Sequence, residues 1–148
     1  MATLNFPAFD CKIKRVGEKE FIFDPVRRKF VSLSPEEWVR QHLINWLIVF
    51  KGYPRALFRL EWHHRHRGME KRSDLLVLDR QGLPWLLAEC KASHLPLNSL
   101  SLRQVMVYNQ HFHATVLLLT NGLHHLIFQK NETGQYSQLQ DLPDFKTF

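Results

Sequence analysis

A chain of 148 residues with 45% hydrophobic content, 11 Phe and 4 Trp can build one real core and is too short for several domains. Its net charge of +6 and pI near 9.6 point to polyanions, either nucleic acid or an acidic membrane face, and say nothing about fold. Cys11 and Cys90 are too far apart in sequence to suggest a disulfide framework. There is no apolar signal core at the N-terminus and no run near the roughly 18 apolar residues that span a bilayer, so a soluble cytoplasmic protein with reduced thiols is expected.

Residues 1–10 read as a lead-in. From Cys11 to Val31, short strands around Gly17-Glu18 and Pro25 predict a small β-meander outside the main core, with no chemistry evident in it. Ser34-Pro35-Glu36-Glu37 is a strong helix start: Ser34 suits the N-cap, Pro35 the first helical position, and Glu37 the third, completing a capping box. Trp38, Val39, Leu43, Ile44, Trp46, Leu47 and Phe50 follow at helical spacing, and Gly52 with Tyr53-Pro54 ends the helix. Lys51 to Arg72 then holds seven Lys or Arg and two Glu. Leu57–His66 alternates enough for a strand, with Arg65–Arg72 expected as an exposed loop.

Two apolar runs, Leu75–Leu78 and Trp85–Ala88, flank Asp79-Arg80-Gln81-Gly82 and predict a β-hairpin. A two-residue loop at Gln81-Gly82 would set Asp74 opposite Glu89 on one sheet face, with Lys91 on the same face by the period of two. Facing carboxylates repel, and burying them costs several kcal/mol unless they are paired. A divalent cation offsets both penalties, and hard oxygen ligands suit Mg²⁺. The plain alternative is a solvated hairpin end with an acid–lysine ion pair.

After Pro96, Asn98 or Ser99 caps a predicted helix to about Phe112, with Leu102, Val105, Met106 and Tyr108 as packing residues and Gln104 on the face of Tyr108. Thr115–Thr120 and His124–Gln129 read as strands about the Asn121-Gly122 turn, and Tyr136–Leu139 as a weaker one; the tail from Leu142 reads as irregular. The order predicts an α/β domain with a mixed central sheet and one helix on each side.

SPEEWVRQHLI (34–44), YP (53–54), KRSD (71–74), AECKA (88–92), QVMVYN (104–109) and LTNG (119–122) occur in the order found in one family. The chain, over about residues 30–125, thus resembles the N-terminal nuclease domain of type I restriction enzyme R subunits, within the PD-(D/E)xK superfamily. The resemblance implies a restriction-endonuclease-like fold, a central mixed β-sheet flanked by helices with the β-meander N-terminal to it, in a single domain over 1–148 whose core is about 30–130. It implies Mg²⁺-dependent hydrolysis of DNA phosphodiesters, with Mn²⁺ as a possible substitute. Asp74 and Glu89 would ligate the metal, with the Cys90 carbonyl as a further ligand. Lys91 would orient or activate the water, Gln104 would approach from the second helix, and Glu37 from the first. Ser73 stands where the superfamily's name has Pro, and no helicase or translocase motor follows, so a stand-alone domain or a part of another system is expected.

Several of these residues have simpler readings. Glu37 is explained by helix capping, Gln104 as a polar helix residue, Cys90 as a small buried side chain, and Tyr108 as a core aromatic. His63, His64 and His66 lack the further ligands structural zinc needs. Arg65, Arg67, Lys71 and Arg72 would contact phosphates, giving salt-dependent affinity without sequence readout, or form a merely soluble face. DNA is the expected partner, with a homodimer or association with other restriction or DNA-processing subunits, and no membrane. The other reading is a catalytically inactive nucleic-acid-binding or assembly module on the same fold; a weaker third is a protein-interaction domain without DNA affinity.

Overall fold

The computed structural model describes residues 1–66 and 69–145, without the side chains of 61–73. Three strands come first: β1 (Ile13–Val16), β2 (Lys19–Asp24) and β3 (Lys29–Ser32), an antiparallel meander forming its own sheet. Helix α1 (Pro35–Asn45) follows and continues as a π-helical turn, Trp46–Phe50. Six strands make the second sheet, in the order β4 (Phe58–His66), β5 (Met69–Leu78), β6 (Pro84–Cys90), β7 (Val116–Thr120), β8 (His125–Lys130) and β9 (Tyr136–Leu139). All neighbours are antiparallel except β6 and β7, which run parallel. A parallel pair needs a long crossover, supplied here by the segment that carries α2 (Ser99–Phe112).

The period-2 pattern sorts the sheet's two faces. Leu75, Val77, Leu86, Ala88, Cys90, Val116 and Leu118 pack in one cluster with Val39, Leu43, Ile44 and Leu47 of α1 and its extension. Leu76, Leu87, Leu117 and Leu119 pack in the other with Val105 of α2. One helix therefore covers each face, as predicted. Among the described residues no helix is long and apolar enough to cross a membrane.

Three details differ from the sequence reading, and a fourth adds to it. Residues 58–66 and 69–78 pair as a long hairpin, His66 opposite Met69, so the basic stretch expected as an Arg65–Arg72 loop is mostly strand. Backbone pairing at the sheet's edge holds it there despite its polar composition. The β5–β6 loop is five residues, Asp79–Leu83, closed by Asp79 N–H to the Leu83 carbonyl at 2.7 Å. A one-residue bulge at Trp85 then shifts the register, so that Val77 faces Leu86 and Leu75 faces Ala88. Loop and bulge offset each other, and the strands carry the pairing that a two-residue loop predicts. Ser34 caps α1, its Oγ accepting from Glu37 N–H at 3.0 Å, but the reciprocal half of the expected capping box is replaced by ion pairs of Glu37. Finally, the tail is irregular yet not idle: Leu142 and Phe145 are buried, and Phe145 packs on Tyr53 and Trp85.

Candidate active site

Beyond the Leu75–Ala88 pair, the β5–β6 ladder gives way to a side-chain bond. Cys90 N–H donates to Asp74 Oδ2 at 2.8 Å. Asp74 is buried, and its Oδ1 accepts from Arg40 Nη2 of α1 at 3.2 Å. Glu89 and Lys91 fall on the face of α2 by alternation with Leu87. Lys91 Nζ lies 3.5 Å from Glu89 Oε1 and donates to Gln104 Oε1 of α2, also at 3.5 Å. The Lys91 backbone is fixed separately, its N–H donating to the Thr120 carbonyl of β7 at 2.8 Å.

Electrostatics tie the two acids together. Burial, then the neighbouring charge of Asp74, pushes the Glu89 carboxyl up to about 7, against the opposite pull of Lys91. The Cys90 thiol is fully buried and its pKa is raised by that burial, so it is an inert neighbour rather than a nucleophile.

An arginine network backs the site from α1. Arg40 Nη1 donates to Glu37 Oε1 at 2.9 Å and Arg40 Nη2 to Glu36 Oε1 at 2.9 Å. Arg27 Nη2 reaches the same Glu37 oxygen at 2.8 Å, and Arg27 Nε pairs with the buried Asp24 at the end of β2. Gln41 Nε2 donates to Glu37 Oε2 at 3.2 Å. Glu37, expected beside the metal, thus stands one arginine away from Asp74. Arg40 was missed by the sequence reading; its only local signal is spacing of three and four from Glu37 and Glu36.

Of the residues expected at the site, Asp74, Glu89, Cys90, Lys91 and Gln104 meet at the end of the β5–β6 hairpin. Gln104 is solvent-exposed. The side chains of Arg65, Lys71 and Arg72, and Arg67 altogether, lie outside the described residues, as do the side chains of His63, His64 and His66. Among the described residues no group of three or more His, Cys, Asp or Glu is arranged around a common point for a metal. Mg²⁺ is commonly held by one or two carboxylates and keeps several waters, and Asp74 and Glu89 supply oxygens of that type, though both Asp74 oxygens already accept hydrogen bonds, from Arg40 and from Cys90 N–H.

Other predicted motif residues build the frame. Tyr53 is buried, its hydroxyl donating to the Pro143 carbonyl at 2.8 Å and accepting from Trp85 Nε1 at 3.1 Å. Asn109 caps the end of α2 through Ala114 N–H at 2.8 Å and donates to the Tyr136 hydroxyl at 2.7 Å. Asn121 Nδ2 holds the loop after β6 through the Leu95 carbonyl at 2.8 Å.

A mixed sheet with a helix on each face and an acid–acid–amine cluster where a hairpin parts defines a restriction-endonuclease-like domain. The family model described as "Type I restriction enzyme R protein N terminus (HSDR_N)" matches residues 35–143, and the chain belongs to that family. Among solved structures it is similar to a fragment of a putative HsdR subunit of a type I restriction enzyme from Vibrio vulnificus YJ016, with a TM-score of 0.53 and 20% identity. The match covers 76% of this chain and 24% of that one, so the chain corresponds to about a quarter of that relative. No curated protein matches.

Proposed function

We propose that this domain hydrolyses DNA phosphodiester bonds as a Mg²⁺-dependent endonuclease. The observation that carries the reading is the Lys91 ammonium held 3.5 Å from Glu89, whose carboxyl is lifted to about 7 by burial and by Asp74. A structural ion pair has no need of the second, opposing carboxylate.

Asp74 and Glu89 would hold the cation, with the Cys90 carbonyl beside them. When bound, Mg²⁺ supplies charge that polarises the phosphate and lowers the pKa of a coordinated water. Lys91 would orient that water and donate to the phosphate oxygens, and Gln104 would keep the amine extended toward them. Glu37 would act through Arg40, holding its guanidinium against Asp74. Arg65, Arg67, Lys71 and Arg72 would contact the DNA backbone, which predicts affinity that falls as salt rises. Partners beyond DNA would be other restriction subunits.

The test is incubation of plasmid DNA with the protein and Mg²⁺ or Mn²⁺, comparing Asp74→Asn. Nicking or linearisation lost in the variant supports the reading. Equal cleavage by both proteins, or none by either under any divalent cation, overturns it.

A further inference from the structure

The register of the meander sorts its side chains between two faces. Lys14 of β1 stands opposite Phe21 of β2, and Phe23 of β2 opposite Phe30 of β3. Alternation along each strand then puts Lys12, Lys14 and Lys19 on one face with Phe21, Phe23 and Phe30. The carboxylates of the strands, Glu20 and Asp24, fall on the other face, where Arg15 and Arg27 pair with them. One face thus carries three cations and three rings, and its strands add no acid to it.

Contacts across the sheet agree with that sorting. Lys14 Nζ lies 4.4 Å from the Phe30 ring centroid, reaching from β1 to β3, and Lys12 Nζ lies 5.8 Å from that of Phe23. Phe23 meets Phe30 edge-on, with centroids 5.4 Å apart at 75°. Phe23 also lines the cleft toward Asn45 and Ile48, so it supports Phe30 from the side. The three lysines are exposed and the three rings half-buried.

Rings beside ammonium groups suit a ligand with flat π-faces and anionic charges spaced along it. A duplex hides its base faces in the stack, so its phosphates would use the lysines and leave the rings idle. A single strand offers both, bases to the rings and phosphates to the ammonium groups. An anionic membrane calls for apolar side chains that can enter the headgroup region, whereas these rings are half-buried, Phe30 beneath Lys14.

We infer that this face of the meander binds single-stranded nucleic acid, with bases on Phe21 and Phe30 and phosphates at Lys12, Lys14 and Lys19. The Lys14 ammonium, over the Phe30 ring in the free protein, moves to a phosphate as a base takes its place. β1 and β3 lie about 10 Å apart, two strand spacings, which is room for two or three nucleotides. The meander is a separate sheet from the one that carries Asp74 and Glu89, and binding is read without a divalent cation.

The test is fluorescence anisotropy of a labelled ten-nucleotide single strand and of its duplex, on the full chain in EDTA. Phe30→Leu should weaken the single strand about tenfold, the effect of one lost base stack, and leave the duplex unchanged. Lys14→Gln, at an exposed position, should weaken the single strand several-fold and lower the steepness of its salt dependence by about 0.7 in log–log slope. Should Phe30→Leu lower Tm too far to be measured, Lys14→Gln decides, together with ultraviolet crosslinking of a 5-bromouracil strand to the β2 or β3 peptide. The tighter of matched DNA and RNA strands identifies the sugar that the face takes. Single-strand affinity indifferent to both variants would place binding elsewhere on the chain and overturn the inference. Equal losses for strand and duplex in Phe30→Leu, or binding to phosphatidylserine vesicles with none to the strand, overturn it as well.

Discussion

Arg40 Nη2 stands 3.2 Å from Asp74 Oδ1, so a cation from α1 already faces the carboxylate on which the proposed metal site depends. The pair is buried, with side-chain exposures of 4% and 10%. Burial opposes the charge on Arg40, yet Glu37, Asp74 and Glu36 together raise its pKa. Removing one partner of a buried pair strands the other, at a cost of about 3–5 kcal/mol. Arg40→Met should therefore destabilise the metal-free protein by about that much. Mg²⁺ should restore more stability to the variant than it adds to the wild type, because Asp74 would then have lost its guanidinium. Denaturant unfolding with and without Mg²⁺ checks this; equal Mg²⁺ effects in both proteins would separate Arg40 from the metal.

Lys91 and Gln104 should divide by kind. The amine bridges Glu89 Oε1 and Gln104 Oε1 at 3.5 Å each. Lys91→Ala removes the donor proposed to face the phosphate and should lower cleavage by about 10²–10³-fold, the usual cost of one transition-state donor. Gln104→Ala removes only the amine's support and should cost about tenfold or less, with Tm unchanged because Gln104 is exposed. Plasmid cleavage rates beside thermal melts give both answers, and equal losses would place Gln104 in direct contact with the reacting groups.

Glu89 sets a pH dependence whose sign follows from its raised pKa. The unfolded chain loses this proton near the ordinary 4.5, and the folded chain keeps it to about 7. Between those values the folded state binds more protons, so this group's contribution makes the metal-free protein less stable as pH rises through the window, and constant above it. Cation binding needs the ionised form. Mg²⁺ affinity should thus rise with pH up to about 7 and then level, and Glu89→Gln should flatten the profile. Calorimetric titration at pH 5.5, 7 and 8.5 suffices; a flat wild-type profile would remove Glu89 from the ligand set.

Much of this was legible because it was periodic. Leu75, Val77 and Leu76 declare two buried faces, and Ser34-Pro35 and the Asn98-Ser99 pair declare two helix starts, the second capped by Asn98. The Asp74–Glu89 relation was legible through a loop of the wrong length, since sequence shows that two runs pair but not where a bulge at Trp85 absorbs a residue. The Glu37 carboxylate was misread as closing the capping box because motif spacing sees only its own turn, and Arg27 arrives from the turn between β2 and β3. Arg40 was invisible for the same reason: its partner Asp74 is 34 residues away.

The Asn121-Gly122 turn joins the frame to Lys91. Gly122 has φ +85°, where an L side chain is strained, and a Cβ there would lie 2.8 Å from Leu4 Cδ2 and 3.2 Å from Val39 Cγ2. Its carbonyl accepts from Asn5 N–H at 2.7 Å, clamping the N-terminal segment over α1. The turn is further held by Gly122 N–H to Thr120 Oγ1 at 2.9 Å, and the Thr120 carbonyl positions Lys91. Gly122→Ala should cost about 1–2 kcal/mol from the left-handed backbone alone. Leu4 is the tip of a flexible side chain and can yield, whereas Val39 is fully buried on α1. Adding Leu4→Ala should therefore recover only the smaller, steric part of the loss. Denaturant melts of the two single variants and the double variant measure that coupling, and full recovery in the double variant would show that the collision, not the backbone conformation, requires glycine here.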